Sequence, residues 1–378
     1  MDLSLSPSEQ AFRDEFRAWL EKNHPGPTPK GQEEAFTFQR EWQRRLDEDR
    51  YAGLSWPEAY GGRGASLMEQ ALFNEEMARA QAPMPANVLG LVMGGPVVIA
   101  HGSEEQKGRF LKPILSAEEI WCQGFSEPDA GSDLAGLKTR ATHADGGWRV
   151  TGQKVWTSFA HHAKYMMLLA RTDPEAKKHE GLSYLILDMQ HDGVEVRTLR
   201  QITGESEFNE VFIDNAFVPE ENLVGEENRG WAVGITTLMF ERAGIAAASA
   251  VMIKIQLGEL AALIREYGLA EDADIRQRFG RLVAQAETMR LNGYRGLSRV
   301  IQEGIPGPEG SITKWQWADI NQALTELAME VRGADAPLTD SSWSYRFLRA
   351  RANSIEGGTT EIQKNILAER VLMLPKLR

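Results

Sequence analysis

The sequence predicts an α+β protein in which a strand-rich middle part lies between two helical parts. Residues 1–117 are rich in Glu, Ala, Leu, Arg and Gln, which favour helices. Residues 118–225 contain short runs of β-branched and aromatic residues separated by turn residues, and residues 226–378 return to a helical composition. We therefore expect three domains with these bounds: helical, β and helical.

Helix signals dominate the N-terminal part. Ser6–Glu9 places a proline in the first turn and an acidic residue near the positive end of a helix dipole. Apolar residues then recur at helical spacing; they are Phe12, Phe16, Trp19 and Leu20. Two further helices are predicted over Glu33–Arg50 and Leu67–Arg79.

Strand signals mark the middle part. Trp148–Thr157 is rich in β-branched and aromatic residues and follows the turn residues Asp145–Gly147. Shorter strands are predicted over Tyr165–Leu169, Leu182–Leu187 and Glu210–Ile213. Several short strands at this spacing are typical of a small antiparallel barrel or a sandwich.

The C-terminal part again predicts helices. The long apolar runs are Trp231–Tyr267, Ile275–Gln302 and Ser311–Val331. A last helix is predicted to begin near Thr360, where Thr360 and Gln363 match the capping box, with the threonine as the cap.

Composition excludes several classes of protein. The formal net charge of −12 disfavours a nucleic-acid binder, which needs a basic surface. The single cysteine, Cys122, can form neither an internal disulfide nor a cysteine metal cage, and we predict no metal site. No signal peptide and no membrane span of about 20 apolar residues is evident, so we expect a cytoplasmic protein.

The common nucleotide-binding motifs are missing from the sequence. The order of elements is not the βαβ alternation of a dinucleotide fold, and neither a Gly-x-Gly-x-x-Gly segment between strand and helix nor a phosphate-binding Gly-x-x-x-x-Gly-Lys-Ser/Thr loop occurs. A nucleotide cofactor must therefore be held in another way.

Two segments of the middle part can carry chemistry. Gly124–Gly136 is rich in small residues and hydroxyls, so its amides can wrap a planar ligand, or it is a surface connection with capped turns. Trp156 lies in Lys154–Ser158 and is either a core residue of a strand or a stacking wall for an aromatic ligand.

Two segments of the C-terminal part can carry chemistry as well. Glu241 interrupts an apolar helix, where a carboxylate is either paired with a cation or kept as a base with a raised pKa. Gly357 and Gly358 precede the last helix, and they either admit a ligand to its positive end or form a tight entry turn.

Together these segments resemble the acyl-CoA dehydrogenase family. Ser126–Asp133 matches the family's Ser-Glu-Pro-x-Ala-Gly-Ser-Asp loop, and Gly358–Gln363 matches its Gly-Thr-x-x-Ile-Gln helix start. Trp121, the Lys154-x-Trp156 segment and Val218-Pro219 agree with it but are less specific. The resemblance covers nearly the whole chain.

The resemblance implies a helical N-terminal domain, a middle antiparallel β-barrel and a C-terminal four-helix bundle. It implies FAD between barrel and bundle, at the interface of a homo-oligomer (dimer or tetramer). The implied reaction is α,β-dehydrogenation of an acyl-CoA, in fatty-acid or sterol side-chain β-oxidation. A base removes the α-proton, flavin N5 accepts the β-hydride, and electrons pass to an electron-transfer flavoprotein.

The resemblance also assigns site residues. Ser132 matches a position near the CoA moiety, and Ser158 matches the hydroxyl at flavin N5. Arg242 and Arg276 are basic residues expected near the phosphates of CoA and FAD. The remaining flavin positions are Phe125, Ser126, Trp156, Thr157, Gly357, Gly358, Thr359 and Glu361.

The catalytic base departs from the commonest family pattern. Many members carry it as a Glu directly before Gly-Thr, where this chain has Gly357. Other members, including bacterial ones, carry it on a bundle helix directly before an arginine, and Glu241-Arg242 fits that pattern. The resemblance thus assigns Glu241 as the base, with Glu356 as the alternative, and the Gly357 amide as a donor to the thioester carbonyl.

A second departure concerns the pyrophosphate of FAD. Arg276–Gly280 is similar to the family's Arg-x-x-Phe-Gly segment, although it lies further beyond Arg242 than expected. The Gln-x-x-Gly-Gly segment is missing, and Val331–Pro337 stands in its place. A heteromer with a sister subunit is therefore an alternative, in which this chain is a half-site or non-catalytic partner. An acyl-CoA oxidase is a weaker alternative, because such chains are usually longer.

Overall fold

The structure, a computed structural model, describes residues 4–303, 307–308, 310–336 and 341–376. Within these ranges the side chains of residues 241–248 and 302–303 are not described. The side chains of the predicted residues Glu241 and Arg242 therefore lie outside the described part of the chain, although their backbone is helical. In what is described, no helix is long and apolar enough to cross a membrane.

The chain divides into two units that are not continuous stretches of sequence. Unit 1 contains Met1–His24, Ser66–Ala82 and Arg242–Arg378, and unit 2 contains Pro25–Ala65 and Pro83–Glu241.

The predicted N-terminal helices are present. Helix α1 (Pro7–Asn23) starts at a capping box in which Ser6 Oγ accepts from the Glu9 amide and the Glu9 carboxylate accepts from the Ser6 amide. Helices α2 (Gln32–Glu48) and α3 (Leu67–Arg79) agree with the predicted runs within two residues. Two further helices, α4 (Gly95–His101) and α5 (Glu104–Leu115), are short and were not predicted.

The middle part contains a curled seven-stranded sheet with the order β1-β4-β2-β3-β7-β6, and β5 pairs with β4. The strands are β1 (Trp121–Gly124), β2 (Arg140–Ala144), β3 (Gly147–Ser158), β4 (Tyr165–Arg171), β5 (Leu182–Asp188), β6 (Val194–Leu199) and β7 (Phe208–Pro219). The four predicted strands are present, and β1, β2 and β6 are additional. The expectation of a purely antiparallel sheet is wrong in part: the sheet is mixed, because β1 and β2 pair with β4 in parallel.

Alternate residues of β4 enter two different cores. Met167 and Leu169 pack against helical residues such as Phe110 and Ile114, whereas Met166 and Leu168 pack inside the sheet. The inner core draws side chains from β2, β3, β4, β5 and β7, and it contains Cys122, which is fully buried. Both faces of β4 are covered, which explains its continuous apolar run.

The C-terminal part is helical, as predicted. Its helices are α6 (Gly230–Glu266), α7 (Ala273–Glu303), α8 (Gly310–Arg332), α9 (Ser342–Ala350) and α10 (Thr360–Arg370). Leu260, Met289 and Leu327 are central in the core that α6, α7 and α8 share.

Helices α1 and α3 belong to the same unit as these C-terminal helices. The Arg17 guanidinium donates two hydrogen bonds to the buried Glu76 carboxylate, and the Tyr294 hydroxyl donates to Glu75 at 2.8 Å. Contacts between residues far apart in sequence thus define unit 1.

Candidate active site

A β-bulge near the end of β3 displays Trp156. Lys154 pairs with Val211 and Thr157 pairs with Asn209, so that two residues of β3 oppose one residue of β7. Trp156 lies in this bulge at φ +59°, which is unfavourable for a bulky side chain. Its side chain is 61% exposed and rests edge-on against Phe208. The interpretation of Trp156 as a core residue is therefore wrong, because the bulge turns the indole outward.

A buried ion pair joins the 124–136 loop to this bulge. The Lys154 ammonium donates to the Glu127 carboxylate at 2.9 Å and to the Phe125 carbonyl at 3.1 Å. The other Glu127 bonds come from the amides of Lys138 and Thr139, at 2.6 and 2.9 Å. Glu127 was not predicted as a site residue, although it lies inside the Ser126–Asp133 loop and Lys154 lies inside the Lys154–Ser158 segment.

Burial affects the two charged groups differently. Full burial lowers the pKa of Lys154 to about 8, despite the attraction of Glu127. Burial alone would raise the pKa of Glu127, but Lys154 and the hydrogen bonds outweigh it and hold that pKa below its usual value. Both pKa values are thus lowered, which disfavours the charged lysine but favours the charged carboxylate. The carboxylate is the better compensated group, because it accepts from two backbone amides, whereas the ammonium has one carbonyl besides its partner. We conclude that both groups are charged at neutral pH.

The backbone of the loop runs beside the bulge. The Ser126 carbonyl accepts from the Val155 amide at 2.9 Å, so the loop continues the hydrogen bonding of β3. Phe125 is buried and packs edge-on against Tyr184. Ser132 lies further along the loop and is exposed. The structure thus brings Phe125 and Ser126 together with the bulge, and it leaves Ser132 at the surface.

Thr157 presents a buried hydroxyl next to Trp156. The side chain is fully buried, and its Oγ1 has no hydrogen-bond partner among the described residues. The Thr157 carbonyl accepts from Asn209 Nδ2 at 2.8 Å. Ser158, the last residue of β3, is partly exposed. An exposed indole beside an unpaired hydroxyl suits a planar ligand with a polar edge.

The entry to α10 places two glycines before a capped helix. Gly357 and Gly358 have φ +61° and +89°, and Gln363 Nε2 donates to both of their carbonyls, at 3.0 and 3.3 Å. The capping prediction was wrong in detail: the cap is Thr359, whose hydroxyl accepts from the Ile362 amide. Gln363 therefore holds the glycine turn instead of completing a capping box.

The exposed residue Glu361 lies in the first turn of α10. A hydrogen bond with its own backbone and one with Thr359 lower the pKa of its carboxyl. This carboxylate stays charged at neutral pH near the positive end of the helix.

The alternative base, Glu356, has an ionic partner. Its carboxylate accepts two hydrogen bonds from Arg349, at 3.1 and 2.9 Å, and one from Asn353 at 2.7 Å. Asn353 is buried, and its carbonyl accepts from the buried Lys314. Glu356 thus anchors the turn that leads to Gly357.

Of the two arginines predicted near the phosphates, Arg276 is the one whose side chain the structure describes, and it lies on a helix surface. Arg276 lies in the first turn of α7, is exposed, and pairs with Glu271 at 2.9 Å. Arg278 forms hydrogen bonds with Glu330, which raise the pKa of its guanidinium. Val331–Pro337 stands where the Gln-x-x-Gly-Gly segment is missing. In this stretch Arg332 is the last residue of α8, and its guanidinium donates to the Ser344 hydroxyl. Pro337 lies outside the described residues.

The site residues therefore fall into two sets. Unit 2 holds the bulge set, which is Phe125, Ser126, Trp156, Thr157 and Ser158, with Ser132 further along its loop. Unit 1 holds the glycine-turn set, which is Gly357, Gly358, Thr359 and Glu361, and it also holds Arg276.

Comparison with known proteins identifies the family. Residues 6–118, 122–216 and 228–372 match the N-terminal, middle and C-terminal domains of acyl-CoA dehydrogenases. The acyl-CoA dehydrogenase IpdE1 of Mycolicibacterium smegmatis is 39% identical, over 97% of this chain and 98% of that protein.

Solved structures agree with this assignment. The Tcur3481-Tcur3483 steroid ACAD superimposes with a TM-score of 0.87 at 28% identity, and the match covers 100% of both chains. The ChsE4-ChsE5 complex from Mycobacterium tuberculosis gives a TM-score of 0.85 at 29% identity, again over 100% of both chains. On the matched domains and the near full-length identity, the chain belongs to the acyl-CoA dehydrogenase family.

Proposed function

We propose that the protein catalyses the FAD-dependent α,β-dehydrogenation of an acyl-CoA thioester to the trans-2-enoyl-CoA. The observation that carries the proposal is the bulge of β3, which displays Trp156 in an unfavourable conformation beside the unpaired hydroxyl of Thr157. Such local strain is typical of functional sites. The family assignment supports flavin as the planar ligand.

The residues present fit FAD. Trp156 supplies a flat apolar wall, and Thr157 Oγ1 supplies a hydrogen-bonding group that has no other described partner. Ser158, Phe125 and Ser126 would complete the contacts from the bulge set. The glycine-turn set would contact the cofactor through its backbone and through the capped start of α10; its residues are Gly357, Gly358, Thr359 and Glu361. Arg276 would lie near the pyrophosphate.

The chain's own residues would drive the proton transfer. The Gly357 amide would donate to the thioester carbonyl, and the resulting polarisation acidifies the α-carbon. The Glu241 carboxylate would accept the α-proton. FAD, when bound, supplies the acceptor for the hydride that leaves the β-carbon. The electron pair of the α-C–H bond then forms the double bond, and Ser132 and Arg242 would contact the CoA moiety.

The assignment of the base is tested by comparing Glu241→Gln with Glu356→Gln. We expect Glu241→Gln to retain the visible flavin spectrum but to lose anaerobic bleaching by acyl-CoA. Glu356→Gln should still bleach, because in the structure this carboxylate anchors a turn through Arg349 and Asn353. Bleaching by Glu241→Gln at the wild-type rate would contradict the assignment.

For the substrate we propose a bulky acyl-CoA derived from a steroid. The support is the similarity to the steroid ACAD and a base on the bundle helix, which is compatible with bulky acyl groups. Anaerobic titration with straight-chain, branched and steroid-derived acyl-CoAs tests this class. Bleaching by straight-chain substrates alone would contradict it. An electron-transfer flavoprotein is the proposed electron acceptor.

A second candidate function is that of a half-site or non-catalytic subunit in a heteromer. The missing Gln-x-x-Gly-Gly segment and the similarity to the ChsE4-ChsE5 complex favour it over a homodimer or homotetramer that completes its own FAD site. The isolated chain would then be colourless and would bind flavin only with a sister subunit. Stoichiometric FAD in the isolated protein would favour the homo-oligomer.

Three features of the fold remain proposals: the closed barrel, the four-helix bundle and the domain bounds. We propose that the curled sheet closes as a barrel and that the C-terminal helices form a four-helix bundle. Domain bounds near 117 and 225 follow from composition, and the inner core of the sheet supports the barrel.

A further inference from the structure

Three potential metal ligands meet on unit 2. Glu33 lies in the first turn of α2, and His161 and His162 lie in the short turn that follows β3. One ligand atom from each residue lies within 4.8 Å of those of the other two. The three residues come together only in the folded chain, because Glu33 is far from the two histidines in sequence. The prediction of no metal site rested on the single cysteine and did not consider this combination of residues.

Asn209 holds His161 in one orientation. Its side chain is fully buried, and its amide nitrogen donates to the carbonyls of Thr157 and Glu207 at 2.8 and 3.1 Å. The amide oxygen, 3.0 Å from His161 Nδ1, must therefore accept from that nitrogen. In a neutral imidazole whose proton is on Nδ1, the free lone pair is on Nε2. A fixed second nitrogen of this kind is typical of histidines that bind metals.

His162 is also held in place. Its ring stacks on Phe36 with centroids 3.7 Å apart, and its Nε2 lies 3.7 Å from a Glu33 oxygen. These two contacts place Nε2 of the stacked ring next to the Glu33 carboxylate.

We propose that Glu33, His161 and His162 form a site for a divalent transition metal of the Zn²⁺ or Cu²⁺ type, which joins the start of α2 to the turn after β3. Two imidazoles and one carboxylate are a donor set that these ions prefer. Bonds of about 2.0–2.2 Å require ligand atoms closer together than 4.8 Å. Glu33 can close this gap, because its side chain is 80% exposed.

The surroundings leave room for the ion. An open cleft of about 540 Å³ borders both histidines. The two cations that line it are engaged elsewhere, since Arg40 donates to the carbonyls of Ala117 and Glu118 and Lys164 donates to Asp188. Water in this cleft would complete the coordination shell.

The test is calorimetric titration of ZnCl₂ into chelator-treated, tag-free protein. We expect one zinc ion per chain. His161→Ala and Glu33→Gln remove exposed side chains, so both variants should fold and bind zinc at least about tenfold more weakly. Asn209→Ala should weaken binding about 10- to 100-fold by freeing the His161 ring.

His143→Ala is the matched control. His143 pairs with Glu227 at 2.8 Å on the same unit, and the described residues offer this pair no third ligand. This variant should bind zinc as the wild type does. Zinc should also raise the Tm of the wild type, and it should raise that of Glu33→Gln by less at the same zinc concentration. Absence of zinc binding, or equal affinity in wild type, His161→Ala and Glu33→Gln, would overturn the proposal.

Discussion

The Lys154 ammonium lies 2.9 Å from the Glu127 carboxylate, and the two side chains are 0% and 6% exposed. This pair ties the loop that carries Phe125 and Ser126 to the bulge that carries Trp156. A buried charge that loses its partner is costly, because neither water nor another ion replaces it.

Glu127→Gln should therefore destabilise the protein by about 3 kcal/mol, since it leaves a buried ammonium without its counter-ion. Denaturant unfolding monitored by circular dichroism measures this difference. The matched control is Asp129→Asn, because Asp129 pairs with Lys138 at 3.0 Å on the surface. That change should stay within about 0.5 kcal/mol. Equal effects of the two substitutions would contradict the role of the buried pair.

The same pair predicts a pH dependence of stability. Burial lowers the pKa of Lys154 from 10.5 to about 8, so between these values the native lysine has released its proton while the unfolded one retains it. Because the unfolded state then binds more protons, the Lys154 contribution to stability rises with pH across this window. The unfolding free energy of wild type minus that of Lys154→Met should thus increase from pH 8 to 10. A constant difference would contradict a lowered pKa.

Trp156→Ala should weaken FAD binding about tenfold, because stacked aromatic rings contribute on the order of 1 kcal/mol beyond their buried area. The Tm of the apoprotein should change little, since this indole is largely exposed. Flavin release measured by fluorescence tests the affinity. Ile202→Ala is the control, because Ile202 is an exposed apolar residue of the same unit, 68% exposed, with no assigned contact to FAD. Unchanged affinity in Trp156→Ala would argue against stacking.

Gly358→Ala should lower stability by about 1–2 kcal/mol. The residue has φ +89°, and an added Cβ would lie 2.6 Å from Gln363 Nε2, which holds the turn. In contrast, Gly258→Ala in α6 meets nothing within 4 Å and should stabilise by about 0.5–1 kcal/mol. Thermal unfolding of both variants gives the comparison. A stabilising effect of Gly358→Ala would show that the turn does not require a glycine.

Local patterns in the sequence were sufficient for most of the fold. The Ser6 capping box and the apolar periodicity located α1, and the three long C-terminal helices were predicted within two residues. Short elements escaped, because four to twelve residues such as Trp121–Gly124 or Glu104–Leu115 carry too little periodicity to be distinguished. The cap of α10 was misplaced by one residue, since Thr359 and Thr360 are chemically equivalent.

The sequence by itself determined the order of helical and strand-rich parts and the motifs that resemble the acyl-CoA dehydrogenase family. These depend on residue type and spacing along the chain. Only the tertiary structure decided that Trp156 faces outward, that Glu127 meets Lys154, and that Glu356 is held by Arg349. The bulge depends on a backbone angle, the buried ion pair on a partner distant in sequence, and the bidentate contact on the path of the turn between α9 and α10, and residue type and spacing record none of these.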